Sequence, residues 1–162
     1  MLLIAECYAN KCFAQELEKF LKKEGPIHVR VKHNQTMGRD RILRDIIRIT
    51  ERITDIVVAV IDYEEGIARV YIEKQFETSS INGNVLLGIS KRKDNLLAII
   101  FDPNIEEGLL CKVNETLCRD PSYYEKIKSD KACNIVARYL KEKYIQSILR
   151  KLVAELKTRV EK

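Results

Sequence analysis

The chain of 162 residues contains no tryptophan, only three prolines and only six glycines. So few turn-forming residues argue against long flexible linkers. No stretch approaches the roughly 18 consecutive apolar residues of a membrane-spanning helix. The opening residues, MLLIAECYANK, lack the basic n-region of a secretory signal peptide. These absences predict a single domain, residues 1–162, in the cytoplasm and without a membrane partner.

Signature motifs of several enzyme classes are also missing. The sequence has no Walker A loop, no G-x-G-x-x-G and no G-x-S-x-G, so nucleotide-cofactor and serine-hydrolase chemistry has little support. The five cysteines are Cys7, Cys12, Cys111, Cys118 and Cys133. None of their spacings is the C-x₂-C pair of zinc sites. An odd number of cysteines in a cytoplasmic chain predicts free thiols, mostly buried or incidental.

The chain is rich in both hydrophobic and charged residues. Hydrophobic residues make up 46% and charged residues 33%, which is typical of a globular domain with a heavily charged surface. The net charge of +5 is compatible with an anionic partner and does not require one.

The most informative stretch runs from Asp55 to Glu65, DIVVAVIDYEE. Its apolar run, Ile56 to Ile61, is rich in β-branched residues and predicts a strand buried on both faces, as in parallel sheets. Side chains alternate along a strand, so Asp62 and Glu64 are expected to point the same way. Together they would need a cation or a proton to relieve their repulsion, and Mg²⁺ is a natural partner. The alternative is a solvated loop after a strand.

Strands and helices alternate along most of the chain, which predicts an α/β fold: a Rossmann-like, mostly parallel sheet with helices on both faces and a helical C-terminal extension. The predicted strands are Leu2–Ala5, Ile27–Val31, Ile56–Ile61, Val85–Ile89 and Leu96–Phe101. The predicted helices are Ala9–Lys23, Asp40–Thr54, Ile67–Phe76, Ile105–Val113 and the chain from Ser129 to its end, where a break near Lys143 stays open. Residues 78–84 are predicted to form a loop.

Acidic residues fall at three predicted strand ends: Glu6, then Asp62 with Glu64, then Asp102. In a parallel sheet these ends share one edge, where open α/β sheets bind their ligands. Such carboxylates can hold one or two divalent cations that orient a phosphodiester and activate water. Glu6 can instead act as a general base or acid. The alternative is that polar residues simply occur where strands end.

These elements resemble the TOPRIM domain of topoisomerases, primases and OLD-family nucleases, and of related small stand-alone archaeal and bacterial proteins. The resemblance covers residues 1–101, with residues 102–162 as a helical extension. It implies that Glu6 assists phosphoryl transfer and that Asp62 and Glu64 match the acidic D-x-D motif that binds Mg²⁺ or Mn²⁺. A later acidic segment of such proteins implies a further metal-site role for Glu106. Cys7 stands where the family usually has glycine, and Glu64 replaces the second aspartate.

Two basic features suggest contacts with phosphates. A stripe along the second predicted helix and a basic turn between the last two strands supply guanidinium and ammonium groups that bind phosphates without sequence preference. The candidate nucleic-acid-binding residues are Arg41, Arg44, Arg48, Arg52, Lys91, Arg92 and Lys93. The alternative is a solvated helix face, paired with acids such as Asp45 and Glu51, and a plain turn.

The sequence therefore predicts Mg²⁺-dependent (or Mn²⁺-dependent) phosphodiester chemistry on nucleic acid, most simply a nuclease of TOPRIM type. A non-catalytic module that binds nucleic acid or protein on a degenerate TOPRIM-like fold is the alternative. A Rossmann-like domain for a small phosphorylated ligand is a third possibility. The amphipathic C-terminal helix is expected to pack within the chain, although a homodimer through this helix stays open.

Overall fold

The computed structural model describes residues 1–33 and 39–160, and the side chains of residues 39–41, 68 and 124 lie outside that description. It contains a six-stranded sheet in the order β2-β1-β3-β6-β5-β4. The strands are β1 (Leu2–Ala5), β2 (Arg30–His33), β3 (Val57–Asp62), β4 (Phe76–Asn82), β5 (Val85–Ser90) and β6 (Leu96–Phe101). Strands β2, β1, β3 and β6 are parallel, and β4 and β5 are antiparallel to their neighbours. The α/β class and the mostly parallel sheet are thus confirmed.

Strand β3 lies in the middle of the parallel part, and all six of its residues are buried. Its alternate residues enter two separate hydrophobic clusters. Val58 and Val60 pack in a cluster with α1 (Tyr8–Lys23), whereas Val57, Ala59 and Ile61 pack in a cluster with α2 (Arg39–Thr50) and with Ile72 of α3 (Ile67–Gln75). A strand that is apolar on both faces loses water from both sides, which explains the unbroken apolar run in its sequence.

Two strand predictions differ from the structure. The second strand starts three residues later than predicted, at Arg30, because its register with β1 pairs Leu2 with Arg30. Residues 78–84 are not simply a loop, since residues 78–82 belong to β4 and residues 83–84 form the turn after it. The polar run of β4 is exposed at the edge of the sheet and is held by antiparallel pairing with β5. An edge strand with solvated side chains has no apolar alternation for sequence analysis to detect.

The chain beyond Phe101 is helical. A π-helical turn (Glu106–Leu110) runs into α4 (Cys111–Val113), and the remaining helices are α5 (Thr116–Arg119), α6 (Pro121–Ile127), α7 (Ala132–Tyr139) and α8 (Lys143–Val160). The apolar side of α8 is buried within the chain, as expected. No helix in the described ranges is long and apolar enough to cross a membrane.

The prediction of free thiols is wrong for four of the five cysteines. Cys12 of α1 is bonded to Cys133 of α7, with their Cα atoms 5.2 Å apart, and Cys111 is bonded to Cys118, with their Cα atoms 5.8 Å apart. Only Cys7 is a free thiol. The first pair is separated by 121 residues, so only the packing of α7 on α1 brings it together.

Candidate functional site

Asp62 is the last residue of β3 and lies at the carboxyl edge of the parallel strands. Its side chain is only 6% exposed and points to the α1 side of the sheet. The carboxylate oxygen Oδ1 accepts a hydrogen bond from the backbone N–H of Ile105 at 3.0 Å and one from Asn10 Nδ2 at 3.4 Å. Asp62 therefore joins β3, α1 and the start of the helical segment that follows β6.

Glu6 follows β1, the neighbour of β3. Its backbone N–H donates to the carbonyl of Val60 at 3.0 Å, which continues the pairing of β1 with β3 by one residue. Its carboxylate oxygen Oε2 accepts from the backbone N–H of Asp62 at 3.1 Å. Glu6 and Asp62 thus meet at the same edge of the sheet, as the sequence predicts for strand ends.

Glu106 reaches the same place from the turn after β6. The side chain of Asn104 caps this turn, because its Oδ1 accepts from the backbone N–H of Glu107 at 2.8 Å. The π-helical geometry then sets Glu106 inward, only 6% exposed. A Cβ at Gly108 would stand 2.8 Å from the carbonyl oxygen of Asp102, so the turn can pack this closely only with glycine there. Single π-helical turns are frequent at functional sites.

The electrostatics of the three carboxyl groups are coupled. Burial raises the pKa of Asp62 well above its ordinary value, and the neighbouring charges of Glu6 and Glu106 raise it further. Burial also raises the pKa of Glu106, which Glu64 and Glu107 raise further while Lys128 lowers it. Like charges held in a poorly solvated place favour a proton or a cation between them.

Asn10, in the first turn of α1, is fully buried beside this cluster. Its amide nitrogen donates to Asp62, but its amide oxygen Oδ1 has no hydrogen-bond partner within the described residues. A buried polar atom without a partner costs free energy, about 1–3 kcal/mol, and calls for an explanation. Carbonyl oxygens of this kind are ligands of hard cations.

Cys7 occupies the N-cap of α1, and its sulfur accepts from the backbone N–H of Asn10 at 3.5 Å. Burial raises the pKa of Cys7, and the charge of Asp62 raises it further. The residue is therefore a neutral thiol at physiological pH.

Asp102 directly follows β6 at the same edge but has different neighbours. The preceding residue, Phe101, pairs with Asp62 and shares its face of the sheet, so side-chain alternation directs Asp102 to the other face. Its carboxylate lies 3.9 Å from Arg69 Nη1. Arg69 also contacts Glu73 and covers the ring of Tyr63. Asp102 is thus part of an ion-pair cluster with α3 rather than of the group formed by Glu6, Asp62 and Glu106.

The acidic group does not form a ready-made metal cage. Among the side chains that the structure describes, no group of three or more histidine, cysteine, aspartate or glutamate residues is arranged to hold a metal ion. Glu64 is close enough to Glu106 to affect its pKa, and it lies beyond the end of β3, half-buried. The structure brings Glu6, Asp62 and Glu106 together with Glu64 nearby, and it sets Asp102 apart.

The predicted basic residues lie mostly away from these acids. Helix α2 runs from the carboxyl edge of the sheet towards the amino edge, so Arg48 and Arg52 lie near the amino edge. Lys93 is at that edge too, 3.8 Å from Glu51, and Lys91 Nζ donates to the carbonyl of Glu73 at 2.9 Å. The remaining members, Arg44 and Arg92, are exposed, and the side chain of Arg41 lies outside the described residues.

Asn10 is not among the predicted site residues, because a lone asparagine inside an amphipathic helix carries no periodic signal. A sign was nevertheless present: Asn10 is four residues after Glu6, and its neighbours on the same helix face, such as Phe13 and Leu17, are apolar. A polar residue on a buried helix face is an informative anomaly.

Comparison with known proteins gave no further assignment: no protein-family model, no curated protein and no solved structure matches this chain.

Proposed function

We propose that this protein carries out metal-dependent phosphodiester chemistry on nucleic acid, as a nuclease of TOPRIM type. One observation supports this most directly: three carboxyl groups from separate segments, Glu6, Asp62 and Glu106, converge at the carboxyl edge of the sheet. Nothing in the hydrophobic core requires two buried acids with raised pKa values in one place. Such perturbed groups are typical of functional sites.

The donor set fits Mg²⁺ or Mn²⁺ by its chemistry. Hard oxygen ligands are available from Asp62, from Glu106 and from the partnerless amide oxygen of Asn10. Glu64 lies near Glu106 and could add a further carboxylate through its longer side chain. Magnesium sites commonly use one or two carboxylates together with substrate phosphates rather than a complete protein cage. The lack of a preformed group of three ligands within the described residues is compatible with such a shared site. When bound, the ion would neutralise charge on a phosphodiester and lower the pKa of a bound water.

Glu6 has a different role in this proposal. It is less buried than Asp62 and Glu106, and its Oε2 is held by the backbone N–H of Asp62. That hydrogen bond fixes one carboxylate oxygen, so that Glu6 can hold or accept a proton near the reacting phosphate. General acid–base groups contribute about 10²–10⁴-fold to rates. Asp102 is a weaker candidate ligand in this scheme, because it would first have to leave Arg69.

A specific observation favours the alternative, a non-catalytic binding module on the same fold. The carboxylate of Asp62 already accepts hydrogen bonds from Ile105 and Asn10, so it also serves to fix the helical segment after β6. In this alternative the acids act structurally and the basic residues of α2 and of the turn after β5 carry the binding.

Incubation of the protein with single- and double-stranded DNA and RNA separates the two functions. Each reaction is run with Mg²⁺, with Mn²⁺ and with a chelator. Cleavage that requires metal and disappears in Asp62→Asn supports the nuclease. Asp55→Asn is the matched control, since it removes the same charge from an exposed position before β3, at the opposite edge. Binding without any metal-dependent cleavage supports the alternative.

We further propose helices on both faces of the sheet and residues 102–162 as an extension of the TOPRIM-like core. The apolar face of α8 is occupied within the chain, which leaves it little to offer a second copy. The two disulfides are informative about the cellular compartment of the protein. They favour an oxidising compartment, or a cytoplasm like that of hyperthermophiles, where intracellular disulfides are common.

A further inference from the structure

A groove between α2 and the edge strand β2 gathers positive charge from distant parts of the sequence. Its volume is about 280 Å³, and it is lined by Ile4, Lys32, Asp45, Ile46, Arg48, Ile49 and Arg52. Three cations and one acid line this space, so its lining carries a net positive charge. Lys32 comes from the strand, Arg48 from the helix and Arg52 from the turn that follows the helix, so charges from three segments line one opening.

We infer that this groove binds backbone phosphates of nucleic acid, at a place separate from the acidic site. The identity of the polyanion rests on the proposed function, whereas the existence of an anion site rests on the groove itself. The floor is formed by aliphatic side chains, Ile4, Ile46 and Ile49, and no aromatic ring lines the groove. It therefore offers no stacking platform for bases and is suited to phosphates alone.

The cations of the groove are available for a ligand. Lys32, Arg48 and Arg52 are exposed, and none of them forms a salt bridge with another residue of the described ranges. A plain solvated helix face would be expected to pair some of these charges with neighbouring acids. Here the neighbouring Glu51 is instead 3.8 Å from Lys93, which brings a further cation to the same end of α2.

The groove and the acidic site lie on different sides of the molecule. Ile46 belongs to the hydrophobic cluster on the α2 face, whereas Asp62 points towards α1. Arg48 is nine residues from the start of α2 at the carboxyl edge, which corresponds to about 13 Å along the helix. Because the sheet lies between these two faces, one phosphate cannot contact both the groove and the acidic site, and only an extended strand could occupy both places. The groove would hold the strand while the acidic site acts on it.

Fluorescence anisotropy tests this inference with a labelled single-stranded oligonucleotide of about 20 residues, at several salt concentrations between about 50 and 200 mM. All proteins carry Asp62→Asn and the buffer contains a chelator, so that cleavage plays no part. The groove variant is Lys32→Gln/Arg48→Gln/Arg52→Gln. The charge-matched control is Lys141→Gln/Lys143→Gln/Arg150→Gln, three exposed cations at or near α8, which packs in the cluster of the other face. Circular dichroism melts verify that both variants fold.

The groove variant should reduce the slope of log K against log salt by about 0.7 per cation removed, about two in all for a single strand, with at least a tenfold loss of affinity at low salt. The control should change the slope by less than one. Equal losses in both variants, or no loss in the groove variant, would overturn the inference, as would a parent protein that binds no oligonucleotide. Displacement of the oligonucleotide by micromolar pyrophosphate would also overturn it, in favour of a small phosphorylated ligand. Because no metal or cleavage is involved, these outcomes are independent of whether the nuclease proposal holds.

Discussion

Asn10 and Asp62 face each other between α1 and the end of β3, with Asn10 Nδ2 3.4 Å from Asp62 Oδ1. The amide donates to a carboxyl group whose pKa is raised, while its own oxygen is buried without a partner in the described structure. This arrangement is costly in the absence of a ligand, and a bound cation would satisfy both the amide oxygen and the carboxylates. The free energy of unfolding should therefore change when the protonation or the metal occupancy of this site changes.

The first prediction concerns pH. An unfolded chain releases the proton of Asp62 near pH 4, whereas burial and the neighbouring carboxylates delay this release in the folded chain. Between the two pKa values the folded state binds more protons, so its stability falls as the pH rises. Each unit by which the pKa is raised corresponds to about 1.4 kcal/mol at neutral pH.

Asp62→Asn should therefore be more stable than the wild type at pH 7.5 in the presence of a chelator, and the two should converge towards pH 4. Urea unfolding across this pH range measures the difference, with Asp55→Asn as the control that leaves it unchanged. If Asp62→Asn is less stable at pH 7.5, the carboxylate is favourably paired and the electrostatic account of the site is wrong.

A second prediction uses Asn10→Asp, which adds a carboxylate beside Asp62. Without metal this variant should lose about 1–3 kcal/mol of unfolding free energy, because another charge is buried without compensation. Millimolar Mg²⁺ should raise its melting temperature by more than that of the wild type, since bound ligand stabilises the folded state. Asn10→Leu, which removes the amide oxygen but leaves Asp62 and Glu106 in place, serves as the control and should respond to Mg²⁺ less than the wild type. If Mg²⁺ raises the melting temperature of Asn10→Asp by the same amount as that of the wild type, Asn10 is not part of the metal site.

A third prediction compares two adjacent acids in the π-helical turn. Glu106 is buried, whereas its neighbour Glu107 is exposed. Glu106→Gln should reduce metal-dependent cleavage by about a hundredfold or more, while Glu107→Gln should stay within a few-fold of the wild type. Steady-state cleavage rates, together with calorimetric titration of Mg²⁺, measure both effects. Similar rates for the two variants would exclude Glu106 from the site.

A fourth prediction concerns the disulfides. In the chain-entropy model, the Cys12–Cys133 bridge, which spans 121 residues, stabilises the folded state by about 5 kcal/mol, and the Cys111–Cys118 bridge, which spans seven, by about 2 kcal/mol. Cys12→Ala/Cys133→Ala should therefore melt at a clearly lower temperature than Cys111→Ala/Cys118→Ala. Melting of the wild type with and without a reductant provides the check. A wild type whose melting temperature does not respond to the reductant would argue against both bridges.

The sequence by itself determined the buried strand β3 and the position of Asp62 at its end. A short run of six apolar residues between two acids is typical of a strand buried on both faces of a sheet. This strand could therefore be predicted without knowing which strands and helices pack against it. The first strand, Leu2–Ala5, and the helical segment from Ile105 to Val113 were predictable for the same kind of reason, since local periodicity and boundary residues encode them.

Only the tertiary structure decided which side chains meet. Glu6 and Asp62 lie 56 positions apart, and Cys12 and Cys133 lie 121 apart, so no local pattern encodes either pair. Side-chain alternation after the end of β6 places Asp102 next to Arg69. The polar residues of β4 form a strand because they pair with β5 at the edge of the sheet. Contacts of this kind depend on how sheet and helices pack as a whole, because each side chain responds to neighbours that are remote in the chain.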